Sequence, residues 1–266
     1  MNEDRKFKET QAKFLQSLPD ILTRSPPEIC VWQCCVQSPP MTVKTLVKLL
    51  SQEEKSKAER FHFQRDRDRY ILGRGLLRVL LGHYLARDPQ SLTFVYSARG
   101  KPLLKGETLQ FNISHSGDLI LYGVSRDRPI GVDIEQIRPL PDAVKLAERF
   151  FCKAEWEKIR DLPSFSTSRA FFTAWTRKEA FLKATGEGIA GLKDVEVSLL
   201  PEEPVQIYRI GGKVAVGWKL WPIDLESAYV GAVAVQGDND LILENRSDRN
   251  CHPCNGNLHG IPHRSH

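Results

Sequence analysis

The longest periodic signal in the chain is helical. Between residues 66 and 86, Leu72, Leu76, Val79, Leu80 and His83 recur at three- and four-residue spacing, which places them on one buried face, while Arg67, Arg74 and Arg78 fall elsewhere. From residue 92 the period drops to two and predicts strands over 92–96, 110–113, 120–125 and 130–135. Turns rich in glycine, proline and charge separate them: Arg99-Gly100-Lys101-Pro102, Ser116-Gly117-Asp118 and Arg126-Asp127-Arg128-Pro129. Upstream, 29–36 reads as a first strand, 43–50 as a short helix, and Ser51 as the N-cap of the next helix, with Glu53 and Glu54 in its first turn. The second half repeats the scheme, with helical pattern over 143–160 and 168–185, then strands over 195–199, 206–210, 214–220 and 229–236.

Each half is helix-rich first and strand-rich later, an α+β pattern rather than strict βαβ alternation. The run Leu119-Ile120-Leu121-Tyr122-Gly123-Val124 has a weak echo in Ala228-Tyr229-Val230-Gly231-Ala232-Val233. Two similar α+β modules, 28–128 and 129–237, with a cleft between them, account for this economically. An extension over 1–27 carries a short amphipathic stretch (Phe7, Phe14, Leu15, Leu18) that ends at Pro26-Pro27. A polar segment over 238–266 is expected to be disordered.

Composition narrows this picture only a little. At 266 residues, the length suits one large domain or two ordinary ones. No apolar run approaches the roughly 20 residues of a membrane span. The start (Glu3, Asp4, Arg5, Lys6) lacks a signal-peptide core, so the expected location is the cytoplasm, without membrane contact; the expected state is a monomer. The six cysteines form no regular disulfide framework. Cys251-His252-Pro253-Cys254, with His259, His263 and His266, resembles half of a zinc site that lacks an obvious second pair. The formal net charge of +5 favours an acidic partner without choosing among a phosphorylated small molecule, an acidic protein and nucleic acid.

Four segments could carry chemistry. In Ile130-Gly131-Val132-Asp133-Ile134-Glu135, strand alternation sends Asp133 and Glu135 to the same face, where like charges repel unless a cation joins them; a solvated acidic face is the alternative. In Trp175-Thr176-Arg177-Lys178-Glu179-Ala180-Phe181-Leu182-Lys183, helical spacing aligns Trp175, Glu179 and Lys183, which alone could be an ordinary surface pair. A third carboxylate brought to the strand pair would suit magnesium, which takes oxygen ligands. In Phe111-Asn112-Ile113-Ser114-His115-Ser116-Gly117, hydroxyls, an imidazole and turn amides suit phosphate oxygens, or a simple turn cap. The cations Lys57, Arg60, Arg65, Arg69 and Lys101 complete the set, with Gly100-Lys101-Pro102 the most pointed of them.

In this order the segments resemble the Sfp-type 4′-phosphopantetheinyl transferase superfamily. The carrying residues are Gly100-Lys101-Pro102, Asn112-Ile113-Ser114-His115-Ser116, Gly131-Val132-Asp133-Ile134-Glu135 and Trp175-Thr176-Arg177-Lys178-Glu179-Ala180 with Lys183, and the similarity runs over about 30–236. Thr176 stands where the family usually has serine, which keeps the hydroxyl. The resemblance implies two modules related by a pseudo-twofold, with coenzyme A in the cleft and Mg2+ on Asp133, Glu135 and Glu179. It implies cofactor contacts from Lys57, Lys101, Pro102, Ser114 and His115, with Arg69 and Lys178 as further contacts. The implied partner is an acyl carrier protein or peptidyl carrier domain, whose serine receives phosphopantetheine as adenosine 3′,5′-bisphosphate leaves. Glu179 would help to deprotonate that serine, and Lys183 would stabilise the leaving phosphate.

Three other functions compete. A nucleic-acid-binding module would use the arginines of 60–78, but Asp66 and Asp68 interrupt them. An inactive carrier-binding relative is disfavoured by the intact Asp133, Glu135, Glu179 and Lys183 set. Another metal-dependent nucleotide transferase could use the same groups.

Overall fold

The computed structural model describes residues 28–237 and the backbone of a strand at 243–247. The readings for 1–27 and for the cysteine- and histidine-rich segment from residue 251 lie outside the described residues.

The first half opens with β1 (Ile29–Cys35), followed by α1 (Val43–Leu46), α2 (Gln52–Glu59) and α3 (Gln64–Leu85). Ser51 caps α2 as its sequence predicts: its hydroxyl accepts from Glu54 N at 3.2 Å, and Glu54 Oε2 accepts from Ser51 N at 2.9 Å. Glu54 also explains a departure from the expected pattern of α3. Arg74 and Arg78 are buried rather than set apart from the core, because Arg74 Nη2 and Arg78 Nε lie 2.8 Å and 2.7 Å from the two Glu54 oxygens. Buried charge is tolerated there because it is paired and hydrogen-bonded.

The hairpin β2 (Phe94–Tyr96) and β3 (Pro102–Leu104) leads into β4 (Gln110–Ser116) and β5 (Leu119–Ser125). A four-stranded sheet forms in the order β12-β1-β5-β4, where β12 is Leu243–Ser247 running parallel to β1. The expectation that 238–266 lacks structure throughout is therefore corrected. Parallel pairing is made by main-chain groups and asks little of side-chain pattern.

The second half comprises β6 (Ile130–Gln136), α4 (Ala143–Phe150), α5 (Lys153–Arg160), α6 (Ser164–Thr185), β7 (Val195–Val197), β8 (Ile207–Ile210), β9 (Lys213–Val214), β10 (Trp218–Pro222) and β11 (Tyr229–Gln236). The helix expected over 143–160 breaks where Phe151 turns extended and Cys152 N is capped by Glu155 Oε2 at 3.1 Å. The strand expected over 214–220 is likewise divided, by Gly217 at φ 71°. A three-stranded sheet forms in the order β10-β11-β6. The two echoing sequence segments thus lie in β5 and β11, each an inner strand of its sheet.

Strand parity sorts side chains into three cores. Cys30, Trp32, Cys34, Phe111, Ile120, Tyr122 and Val124 pack under α3. Ile29, Val31, Leu121, Val132, Ile134, Val233 and Val235 join the two sheets. Ala232 and Ala234 pack under α6 with Phe171, Phe181 and Leu182. The order helix, sheet, sheet, helix is α+β, and it leaves the edge strands β4 and β6 side by side with α6 across them. Among the described residues no helix is long and apolar enough to cross a membrane.

Candidate active site

The site lies where β4, β6 and α6 meet, and two local features bring them together. The first is Gly131 on β6. A Cβ there would lie 2.1 Å from Ala180 O and 2.4 Å from Ala184 N, so only glycine lets this strand rest directly on the helix backbone. The second is the alternation Asn112, Ser114, Ser116 on β4, which points three polar side chains at β6. Asn112 Oδ1 accepts from Val132 N at 3.0 Å, Ser114 Oγ donates to Asp133 Oδ1 at 2.8 Å, and Ser116 Oγ donates to Glu135 Oε2 at 2.9 Å while accepting from Gln136 N at 3.0 Å. Side chains, not a main-chain ladder, make this seam.

The helix adds Glu179 and Lys183, one turn apart. Lys183 Nζ lies 2.5 Å from Asp133 Oδ1 and donates to Ser114 Oγ at 3.1 Å. Glu179 is only 9% exposed, and its Oε1, like Asp133 Oδ2, is buried without a hydrogen-bond partner among the described residues. Such orphaned oxygens are costly unless something charged or hydrogen-bonding meets them.

The electrostatics agree. Burial pushes the Asp133 carboxyl up, against the pull of Lys183 and Ser114. Burial also raises Glu135, with Ser116 opposing and the Asp133 charge adding to the rise. Glu179 is raised by burial and then by Asp133 and Glu135. Asp133 thus opposes the ionisation of Glu135, and both oppose that of Glu179, with one ammonium among them, an arrangement that more positive charge would stabilise. As the side chains stand, no group of three or more His, Cys, Asp or Glu among the described residues is placed to hold a metal ion together.

Comparison with known proteins decides the family. Residues 129–234 match the family described as the 4′-phosphopantetheinyl transferase superfamily, and residues 36–125 match the one described as 4′-phosphopantetheinyl transferase, N-terminal. The chain is 40% identical over 223 residues to the 4′-phosphopantetheinyl transferase HetI of Nostoc sp., covering 82% of this chain and 92% of that relative. The chain belongs to the 4′-phosphopantetheinyl transferase superfamily. It is also 30% identical over 145 residues to 4′-phosphopantetheinyl transferase Sfp of Bacillus subtilis, covering 54% of this chain and 63% of that protein. A third relative is the L-aminoadipate-semialdehyde dehydrogenase-phosphopantetheinyl transferase of Rattus norvegicus, 28% identical over 211 residues, or 71% and 68% of the two chains.

The remaining candidates of this transferase fall into different places. His115, next to Ser114 but on the opposite face of β4, is held below its ordinary value by burial, then by the charges of Arg69 and Lys183. Arg69 Nε is buried with no partner among the described residues, which suits it to an anion beside His115. Lys57 is exposed, with its ammonium 5.5 Å from the centre of the Tyr70 ring. Pro102 starts β3, opposite Tyr96. Lys101 Nζ donates to Ala184 O at 2.7 Å and to Ile130 O at 3.4 Å, fastening the end of α6 to the start of β6.

Lys178 is a correction. It is fully buried, lies 2.6 Å from Glu155 Oε2, and donates to Leu192 O at 2.9 Å and to Val195 O. Its three N–H donors are therefore spent on the protein, and the residue is structural rather than a cofactor contact. Neighbours on a helix point some 100° apart, so standing beside Glu179 in sequence turns Lys178 away from the site. Sequence motifs alone do not mark Ser116, Asn112 and Gly131 as parts of the site. The period-two run of small polar side chains on β4 was the available signal for the first two.

Proposed function

We propose that the enzyme transfers the 4′-phosphopantetheine group from coenzyme A to a serine hydroxyl of an acyl or peptidyl carrier protein, releasing adenosine 3′,5′-bisphosphate, with Mg2+ as cofactor. The observation that carries this reading is the Asp133, Glu135 and Glu179 cluster, with two orphaned oxygens and Lys183 beside it. Hard carboxylate oxygens and unmet negative charge fit magnesium, although the three side chains are not pre-arranged as a complete ligand set. When bound, the ion would supply charge neutralisation at the pyrophosphate and a fixed point for its oxygens.

The chain's own residues account for the rest. The serine oxygen forms a bond to the β-phosphorus, and the bond from that phosphorus to the bridging oxygen breaks. Glu179, aimed at the same space as Asp133, accepts the serine proton directly or through water. Lys183 can turn from Asp133 to the leaving phosphate oxygen and offset its charge. Arg69 of α3, His115 of β4 and Lys57 of α2 would meet the phosphates of coenzyme A, and the cleft between modules would hold the nucleotide. The name of the rat relative couples phosphopantetheinyl transfer to L-aminoadipate-semialdehyde dehydrogenase. That supports a carrier-bearing protein as substrate here without choosing the pathway.

Mass spectrometry of apo carrier proteins incubated with the enzyme, coenzyme A and magnesium tests the reading. A gain of one phosphopantetheine is expected, lost on chelation of the metal. No gain on any acyl or peptidyl carrier would overturn it.

Lys101 provides a pH signature. Burial pulls its pKa down to about 8, so its charge is present below that pH and lost above it. If Lys101 helps to hold the nucleotide phosphates, KM for coenzyme A should climb as pH rises past about 8. A Lys101→Arg variant, which stays charged, should show a flat profile over the same range. Identical profiles for the two enzymes would remove Lys101 from the coenzyme A site.

A further inference from the structure

We propose that Ser116 is a positioning residue for the reaction, fixing the carboxylate of Glu135, and that Asn112 holds the strand carrying both acids at the right height. The inference rests on the reading of Asp133, Glu135 and Glu179 as metal ligands and deepens it. Glu135 is the acid that Lys183 leaves to others: the ammonium is paired with Asp133. The hydrogen bond from Ser116 Oγ to Glu135 Oε2 at 2.9 Å is its closest contact. The remaining partner is Arg138 Nη1 at 3.7 Å, on an exposed side chain, a weak and screened restraint.

Ser116 can do this because both sides of its hydroxyl are used. It accepts from Gln136 N at 3.0 Å, which leaves its single proton directed at Glu135. Two residues earlier in each strand, Ser114 and Asp133 repeat the arrangement, and Asn112 pins Val132 N at 3.0 Å. The seam is also clamped at its open end. Asp118 N donates to the Tyr229 hydroxyl at 3.3 Å, and a Cβ on Gly117 would lie 2.4 Å from that oxygen, so the β4–β5 turn sits tightly on the end of β11. A rigid comb of short hydroxyls therefore sets the direction of Glu135, which long side chains could not do. Outer partners of this kind orient ligating carboxylates and commonly change metal affinity by about 10–100-fold when removed.

The test uses the full-length enzyme with Mn2+ as an ion visible by electron paramagnetic resonance. Ser116→Ala should weaken Mn2+ binding by about tenfold or more and raise the metal concentration needed for half-maximal transfer by a similar factor. The rate at saturating metal should stay within about threefold of wild type, and Tm should fall by no more than about 4 °C, as for one lost hydrogen bond. Ser116→Thr, which keeps the hydroxyl, should recover the affinity.

Unchanged Mn2+ affinity in Ser116→Ala would overturn the inference. So would an affinity loss that Ser116→Thr fails to recover and that tracks a large fall in Tm, which would make Ser116 a structural residue only. A wild-type enzyme that binds no Mn2+ and transfers phosphopantetheine without divalent metal would instead overturn the metal reading beneath it.

Discussion

Glu179→Gln should abolish phosphopantetheine transfer, by at least about 10³-fold in rate, and leave the fold at least as stable as before. The activity loss follows from position. Glu179 is the acid that α6 delivers to the β6 pair, and its Oε1 is buried without a partner among the described residues. The amide keeps the shape and removes the negative charge and the proton-accepting capacity. Stability should not suffer, because the wild-type carboxylate is disfavoured by burial and by Asp133 and Glu135. Relieving a buried like-charge contact is more often stabilising than costly. The paired measurements are mass spectrometry of an apo carrier and a thermal melt of the metal-free protein. Loss of transfer with a Tm equal to or above wild type is expected. Full transfer by the variant would remove Glu179 from the chemistry, and a clear fall in Tm would show that its charge is held by something other than the arrangement described.

Much of this site could be read from the residues, because its parts obey local rules. Alternation put Asp133 and Glu135 on one face, and both do face α6. Four-residue spacing put Glu179 and Lys183 on one face, and both do face β6. The meeting of those faces was not local. It depends on the missing side chain at Gly131 and on the hydroxyl seam of β4, neither of which is visible from the spacing of the acids. Misassignments arose where tertiary packing outweighs the local pattern. Arg74 and Arg78 were set apart from the apolar stripe of α3 as polar residues should be, yet Glu54 from α2 draws both inside. The family resemblance implies a cofactor contact from Lys178, yet Glu155 holds that residue in the core. The strand at Leu243–Ser247 has a polar sequence and pairs through its backbone with β1, so hydropathy had no means of revealing it.

Gly131→Ala should damage both the fold and the transfer activity strongly. The added Cβ would meet Ala180 O at 2.1 Å and Ala184 N at 2.4 Å. Both are backbone atoms of one helix, so no rotamer change can relieve the clash, and β6 and α6 must separate. Overpacking of this kind costs about 3 kcal/mol or more, which for a chain of this size lowers Tm by roughly 6–12 °C. Catalysis should fall further than stability does. The displaced pair of elements carries Asp133 and Glu135 on one side and Glu179 and Lys183 on the other, and a shift of about 1 Å between reacting groups can cost about 10²-fold. Gly123 on β5 is the control. A Cβ there would approach Val132 Cγ1 at 2.7 Å and Ile130 Cδ1 at 3.1 Å, both ends of side chains in the core between the sheets. These are side-chain atoms and not the backbone of α6, so Gly123→Ala should lose less stability than Gly131→Ala and retain more of its transfer activity below its Tm. If the two variants lost activity in proportion to stability alone, the contact between β6 and α6 would matter for folding and not for the geometry of the acids.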